Sequence, residues 1–331
     1  MSDDAPRAED EANAGLLLLM QGALEAGLAR YLAGFMIEHI QRLPIGLHIH
    51  LLENAGRRDE AQALRTLAVR KGGNIALRHV ALQAPPEEAV SEYEALFAGG
   101  IANAQMVNEY LGLLSRLGRV DDLQRWLAPD LLFRKIQLDP DFAGDVKAAV
   151  LAREDRGLHK SLRAIQQMRR VMDLHSDPDP VLQRLFAALT AETEDYFATW
   201  RASAHPLAPI VPETLRLKGW ALIARGEGIV ARHIHPRGWM TGVYYPNHVP
   251  EGGGELRVSG RTEGDDAAEG WFEAEVAPRP GLLVLMPSFY THWTVPPAAG
   301  GLRISIAFDV RGLGADEDAR IGDIDANRVP L

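Results

Sequence analysis

The chain has 331 residues, 47% of them hydrophobic, with 45 acidic and 35 basic side chains and a formal net charge of −10. That length suggests about two domains, and the acidic balance argues against nucleic acid or an anionic membrane as partner. There is no cysteine, so disulfides and thiolate metal sites are excluded and any metal must be held by His, Asp or Glu.

Residues 1–13 read as a solvated, disordered acidic tail. The apolar run Gly15–Met20 that follows is too short to span a bilayer, and its acidic lead-in is wrong for a secretory signal. A cytoplasmic, cysteine-free protein is the expectation.

From residue 14 to 203 the chain is rich in Ala, Leu, Glu and Arg. Apolar residues recur three and four apart, as at Leu111, Leu114 and Leu117 and then Leu123, Trp126 and Leu127, which is helical periodicity. Breaks at Pro44, Pro85-Pro86, Gly99-Gly100, Pro140 and Asp177–Pro180 divide it into a helical array. Leu51–Gln62 and Leu113–Gln124 match one another as helix, Gly-Arg-x-Asp turn, helix. Gly56 and Gly118 suit a left-handed helix end, and Asp59 and Asp121 suit the cap of the next helix. The unit is like a tetratricopeptide-type repeat, with an ordinary helical bundle as the competing reading.

After Ala204–Pro209 the texture changes. Trp220–Ala224, Thr241–Tyr245, Gly281–Met286 and Leu302–Phe308 are short aliphatic or aromatic runs with turn residues between them. Such spacing predicts an all-β sandwich or barrel over residues 204–331. The fold class is thus an all-α array followed by a β domain.

Most of the eleven histidines have bland settings, including His39, His79, His159 and His175 in helical context. His48 and His50 lie two apart in such a stretch and do not share a helix face. His233 and His235 have the same spacing in a strand-like stretch, where residues two apart project from one side. Two imidazoles there could reach one metal, or face solvent on an edge strand. His292 follows a later apolar strand between Pro287 and Pro296. Arg303 stands in an apolar strand, where a buried charge is costly without a partner. Its planar fork suits a carboxylate, and Ser305 lies on the same face. Imidazole suits iron, zinc, copper or nickel, and three protein ligands with open positions describe a catalytic site.

Four ordered motifs resemble the 2-oxoglutarate/Fe(II)-dependent oxygenase superfamily, in particular its bacterial and phage branch. They are His233-Ile234-His235-Pro236, Thr241–Tyr245, Pro287–His292 and Arg303–Phe308, within a match of about 90 residues from Trp220 to Arg311. The resemblance implies a double-stranded β-helix (jelly roll, cupin-like) that binds Fe(II), 2-oxoglutarate and O2 and hydroxylates an unactivated C–H bond. It implies His233 and His292 as ligands, with His235 where most of the superfamily has Asp or Glu. Arg303 and Ser305 would hold the distal carboxylate of 2-oxoglutarate, with the Tyr244 hydroxyl beside them. Trp293 and Trp239 would line the substrate pocket. The chain departs from the branch at Val230, where an Asn is usual, and at Gly254–Asp266, which reads as a substrate loop. His248 and Glu255 read as surface-loop residues.

A three-His cupin dioxygenase or isomerase is the nearest rival. Against it, cupins typically carry a Glu a few residues after the His pair, and Pro236–Met240 of this chain contains none. A helical interaction scaffold with an inactive barrel is a rival of another class. A peptide or protein substrate is preferred over a small molecule, because helical arrays offer concave surfaces. The helical part serves either substrate binding or homodimerisation.

Overall fold

The computed structural model describes residues 85–100, 102–160, 165–236, 238–249, 252–261, 269–298 and 301–312, with scattered positions between 14 and 61. Its contacts divide the chain into two compact units, Met1–Ala102 and Asn103–Leu331.

In the first unit, helix α1 (Pro86–Ala98) starts with Pro in its first turn, followed by Glu87 and Glu88. A proline loses nothing there and acids complement the helix dipole. Ala89, Val90, Tyr93, Leu96 and Phe97 form its buried stripe. The expected helical array over residues 14–84 lies mostly outside the described residues, as do His39, His48, His50 and His79.

The second unit opens with α2 (Ala104–Arg116), capped by the Asn103 side chain, and α3 (Val120–Leu127). The turn between them has Gly118 at φ 66°, matching Gly56 at 75°. Both turns close alike, Arg119 N donating to Leu114 O (2.9 Å) and Arg57 N to Leu52 O (2.8 Å). The aspartate was misplaced as a cap. Asp121 sits inside the first turn of α3, while the arginine side chain clips the turn, Arg119 to Asp122 (2.7 Å) and Arg57 to Glu60 (2.6 Å). Then come α4 (Pro129–Leu132), β1 (Arg134–Gln137), α5 (Ala143–Leu151), β2 (Leu158–Lys160) and β3 (Ile165–Val171). Helix α6 (Pro180–Arg201) is capped by Asp179, whose carboxylate accepts from Val181 N.

Strands β4 (Leu215–Val230), β5 (Met240–Tyr245), β6 (Leu256–Ser259), β7 (Glu273–Val276), β8 (Leu282–Pro287), β9 (Thr291–Thr294) and β10 (Leu302–Gly312) follow. A seven-stranded antiparallel sheet has the order β1-β8-β5-β10-β4-β3-β2, and a three-stranded one β7-β6-β9. This arrangement is in keeping with the β-helix that the resemblance implied. The large sheet does not keep to residues 204–331. β1, β2 and β3 come from the stretch read as helical and lie on its two flanks. Their sequences lack the apolar alternation of a core strand. They are held by backbone pairing, Arg134–Gln137 to Leu282–Leu285 and Met168–Val171 to Ala221–Ala224. His159 is in β2, and His175 in a single 3-10 turn accepts from Gly219 N (3.3 Å).

One face of the large sheet carries Ile304, Ile306, Phe308 and Val310 with Ile223 and Ala221, all buried. Helix α6 packs there. Phe308 is paired with Gly219 on one side and Gly242 on the other. A Cβ at Gly242 would stand 2.1 Å from the Phe308 ring, and one at Gly219 would stand 2.4 Å from Phe186 of α6. Only glycine lets these rings lie flat on the strands. Behind them Trp200 stacks on Phe197 and meets His205 edge-on. His205 Nε2–H donates to Trp126 O (2.9 Å), and burial lowers its pKa to about 4. Among the described residues no helix is long and apolar enough to cross a membrane.

Candidate metal centre

The opposite face of the large sheet carries Arg303, Ser305, Ala307 and Asp309 of β10. They pair with Ala224, Leu222, Trp220 and Lys218 of β4. Residues that pair directly share a face, and the next residue along points the other way.

His233 and His292 form an antiparallel bridge. Each backbone N–H donates to the other's carbonyl, at 3.1 and 2.9 Å. His235 is held two residues on by its N–H to Ser288 O (3.1 Å). The three rings stand 4.3, 4.9 and 5.0 Å apart between centroids, and one ligand atom from each lies within 4.8 Å of the others.

The partners of the Nδ1 atoms decide the tautomers. His233 Nδ1 faces Ala231 O (2.8 Å), His292 Nδ1 faces Tyr290 O (3.2 Å), and His235 Nδ1 meets an Asp309 carboxylate oxygen at very short range. A carbonyl or carboxylate oxygen only accepts, so each Nδ1 carries a proton, which leaves Nε2 as the nitrogen that can ligate a metal. Two of those nitrogens, on His233 and His235, face each other at 2.9 Å. Bare lone pairs at that separation repel unless a cation lies between them. Burial first, then the neighbouring imidazoles, lowers the His233 pKa to about 4 and holds that of His292 well below the usual histidine range. His233 and His292 therefore favour the unprotonated form that binds a metal.

Trp220 stacks on His235 (6.2 Å, 12°), and the Arg170 guanidinium lies 4.7 Å from the Trp220 ring centre. Met168, Leu222, Ala224, Val230 and Ala307 complete an apolar wall with Trp220. At one end of that wall lies Arg303, fully buried. Its Nη1 donates to Val295 O (3.1 Å) and its Nη2 approaches Met168 Sδ (3.7 Å). Its Nε has no partner, nor has the buried hydroxyl of Tyr245. No carboxylate pairs with Arg303 among the described residues. Val295 is three residues beyond His292, which places the guanidinium about 10 Å along the chain from the histidines.

Sequence reading placed three side chains wrongly. Tyr244 pairs with Ile306, so it lies on the helix-covered face, away from Arg303. Burial raises its pKa to about 12, with Asp139 nearby. Its neighbour Tyr245 faces the Arg303 side, and the Arg303 charge opposes the upward push of burial on its hydroxyl. Trp293 follows His292 within β9 and so points away from it, opposite Arg257, with Arg232 over its ring (4.6 Å). Trp239 packs against Trp200 of α6 (5.9 Å). Within the expected substrate loop, Leu256–Ser259 is strand β6. Glu255 is half-buried, receives Gly253 N–H (3.1 Å) and lies near enough to Arg303 for its charge to be felt. Asp309, buried at 6% exposure, was missed. So was Asn247, whose side chain grips Ile304 N (3.1 Å) and Leu302 O (2.7 Å) and so fixes the backbone around Arg303.

Three converging imidazole nitrogens could hold a metal ion, and a buried guanidinium with an unpartnered Nε could take an anion. Residues 218–309, which contain both, match the family described as "Putative 2OG-Fe(II) oxygenase". This segment is thus similar to the 2OG-Fe(II) oxygenases, a class that uses Fe(II), 2-oxoglutarate and O2. Solved structures similar to the chain include a Pseudomonas putida prolyl-4-hydroxylase (18% identity over 58% of this chain and 100% of that one, TM-score 0.43). Another is a Trichoplax adhaerens prolyl hydroxylase in complex with a hypoxia inducible factor peptide fragment (16%, 59% and 92%, TM-score 0.41). A third is a viral collagen prolyl hydroxylase from Paramecium Bursaria Chlorella virus-1 (11%, 55% and 97%, TM-score 0.39). No curated protein matches.

Proposed function

We propose that the chain hydroxylates an unactivated C–H bond, using one Fe(II) held by His233, His235 and His292 in a double-stranded β-helix. The observation that carries this reading is the convergence of three bare imidazole nitrogens. Imidazole nitrogen suits iron, and three protein ligands leave positions open for a co-substrate.

Arg303 would take the distal carboxylate of 2-oxoglutarate, with Ser305 and Tyr245, in place of Tyr244, adding hydroxyl donors. The unpartnered Arg303 Nε and Tyr245 hydroxyl fit a dianion that brings its own acceptors. The iron and the keto acid supply the oxidising chemistry. The chain's part is to hold three nitrogens in place, to keep water out with Trp220, Leu222 and Val230, and to neutralise the co-substrate's charge. No protein side chain need move a proton. A peptide or protein is the proposed substrate. The oxygenase module would begin near Asn103, because β1 to β3 and α2 to α6 belong to the same compact unit as the centre.

The test is an anaerobic titration of Fe(II)-loaded protein with 2-oxoglutarate, following the weak visible charge-transfer band. A band that is lost in Arg303→Ala and altered in His235→Ala is the expected result. Absence of the band in protein shown to hold iron overturns the reading.

A further inference from the structure

The metal site described above has no acidic ligand, yet a buried carboxylate stands directly behind one of its histidines. Asp309 lies on the inward face of β10 and accepts the Nδ1–H of His235. It is 6% exposed, and Thr241 Oγ1–H donates to the same oxygen (3.3 Å). His233 and His292 have only neutral carbonyls at the equivalent position. The asymmetry falls on the one histidine that stands where the resemblance implies a carboxylate.

Building on the three-histidine reading, we propose that Asp309 is a positioning residue that acts with His235 as a single anionic ligand. It fixes the ring so that Nε2 faces the metal and returns, one imidazole further out, the negative charge that an acidic ligand would have supplied. A carboxylate behind a ligating histidine raises its basicity, and removing such a partner commonly costs 10–100-fold in metal affinity. With Asp309 ionised, two neutral imidazoles and one His–carboxylate pair give the donor set a charge of −1. A bound divalent ion is thereby left at +1, as with two histidines and a carboxylate.

The experiment measures Co(II) affinity of the full-length protein by competition with a chelating dye, with the cobalt visible spectrum recorded alongside. Asp309→Asn keeps the shape and loses the charge. It should weaken Co(II) roughly 10–100-fold and shift the cobalt bands. The double variant His235→Asp, Asp309→Asn moves the carboxylate to the metal and should regain most of the affinity. In wild-type metal-free protein, 15N-histidine NMR should show His235 protonated at Nδ1, a readout that depends on no variant. Asp309→Asn affinity within about threefold of wild type, a double variant no better than the single one, or an Nε2–H tautomer for His235 would each overturn the proposal. His233→Ala separates the two readings. If it binds Co(II) as wild type does, the three-histidine site itself fails. If it loses Co(II) while Asp309→Asn does not, only the role given to Asp309 fails.

Discussion

Replacing Arg303 by Met should abolish 2-oxoglutarate binding and leave the metal-free protein as stable as before or more so. The guanidinium is fully buried, reaching one carbonyl and one thioether, with its Nε unpartnered. Burial pulls its pKa down, against the weaker opposing charges of Tyr245 and Glu255. Exchange of such a poorly paired cation for a well-packed apolar side chain is commonly neutral or stabilising by about 1–4 kcal/mol. The unmet Val295 carbonyl offsets part of that gain, at about 1–3 kcal/mol. For binding the sign reverses. Two charge-assisted hydrogen bonds to a carboxylate contribute about 1.5–3 kcal/mol each, so their loss weakens 2-oxoglutarate by roughly 10²–10⁴-fold. Thermal unfolding with Co(II), with and without 1 mM 2-oxoglutarate (about a thousand times a micromolar Kd), reads both effects. Wild type should gain about 4 kcal/mol with the ligand by mass action, and Arg303→Met at most about 1.4 kcal/mol. A variant that keeps the ligand-induced rise refutes the anion site. One that unfolds several degrees lower without ligand shows that Arg303 is a structural pillar.

Tyr245→Phe should weaken 2-oxoglutarate about tenfold, the loss of one hydrogen bond to a charged group, while Tyr244→Phe stays within twofold; calorimetric titration separates the pair. Gly242→Ala should destabilise by about 1–3 kcal/mol through overpacking against Phe308, seen as a lower urea midpoint. His205 is neutral in the fold, its pKa near 4 against about 6.5 unfolded. The unfolded chain therefore binds the extra proton between those values. This contribution, about 3 kcal/mol, is fully present above pH 6.5 and is lost as pH falls toward 4. Metal-free protein should show that slope in urea midpoints, with His233 and His292 adding to it, and His205→Gln should make it shallower; an unchanged slope counts against the assignment.

The β-rich half was legible because β4, β5, β8 and β10 are dense in aliphatic and aromatic residues. β1 and β3 were not. Arg134-Lys135-Ile136-Gln137 and Met168-Arg169-Arg170-Val171 carry no core pattern, and only their backbone pairing makes them strands. At the site, His-x-His and Arg-x-Ser could be read because period two fixes which side chains share a face. The errors came from that same period. Tyr244 and Tyr245 are adjacent, so a one-residue slip puts the wrong hydroxyl beside Arg303. Trp293 directly follows His292, so it has to turn away. Asp309 was within reach of the rule. It lies six residues from Arg303, an even number, in an otherwise apolar strand, and a second charge on the same face called for a partner.

The bridge between His233 and His292 has a mechanical consequence. His233 and His235 follow β4 of the large sheet, and His292 belongs to β9 of the small one. An ion gripped by all three would be a rivet through two layers that otherwise share few backbone bonds there. Chelation would therefore loosen more than a pocket. Amide exchange should quicken first at Val230–His235 and Thr291–Val295, the seam where the two sheets part.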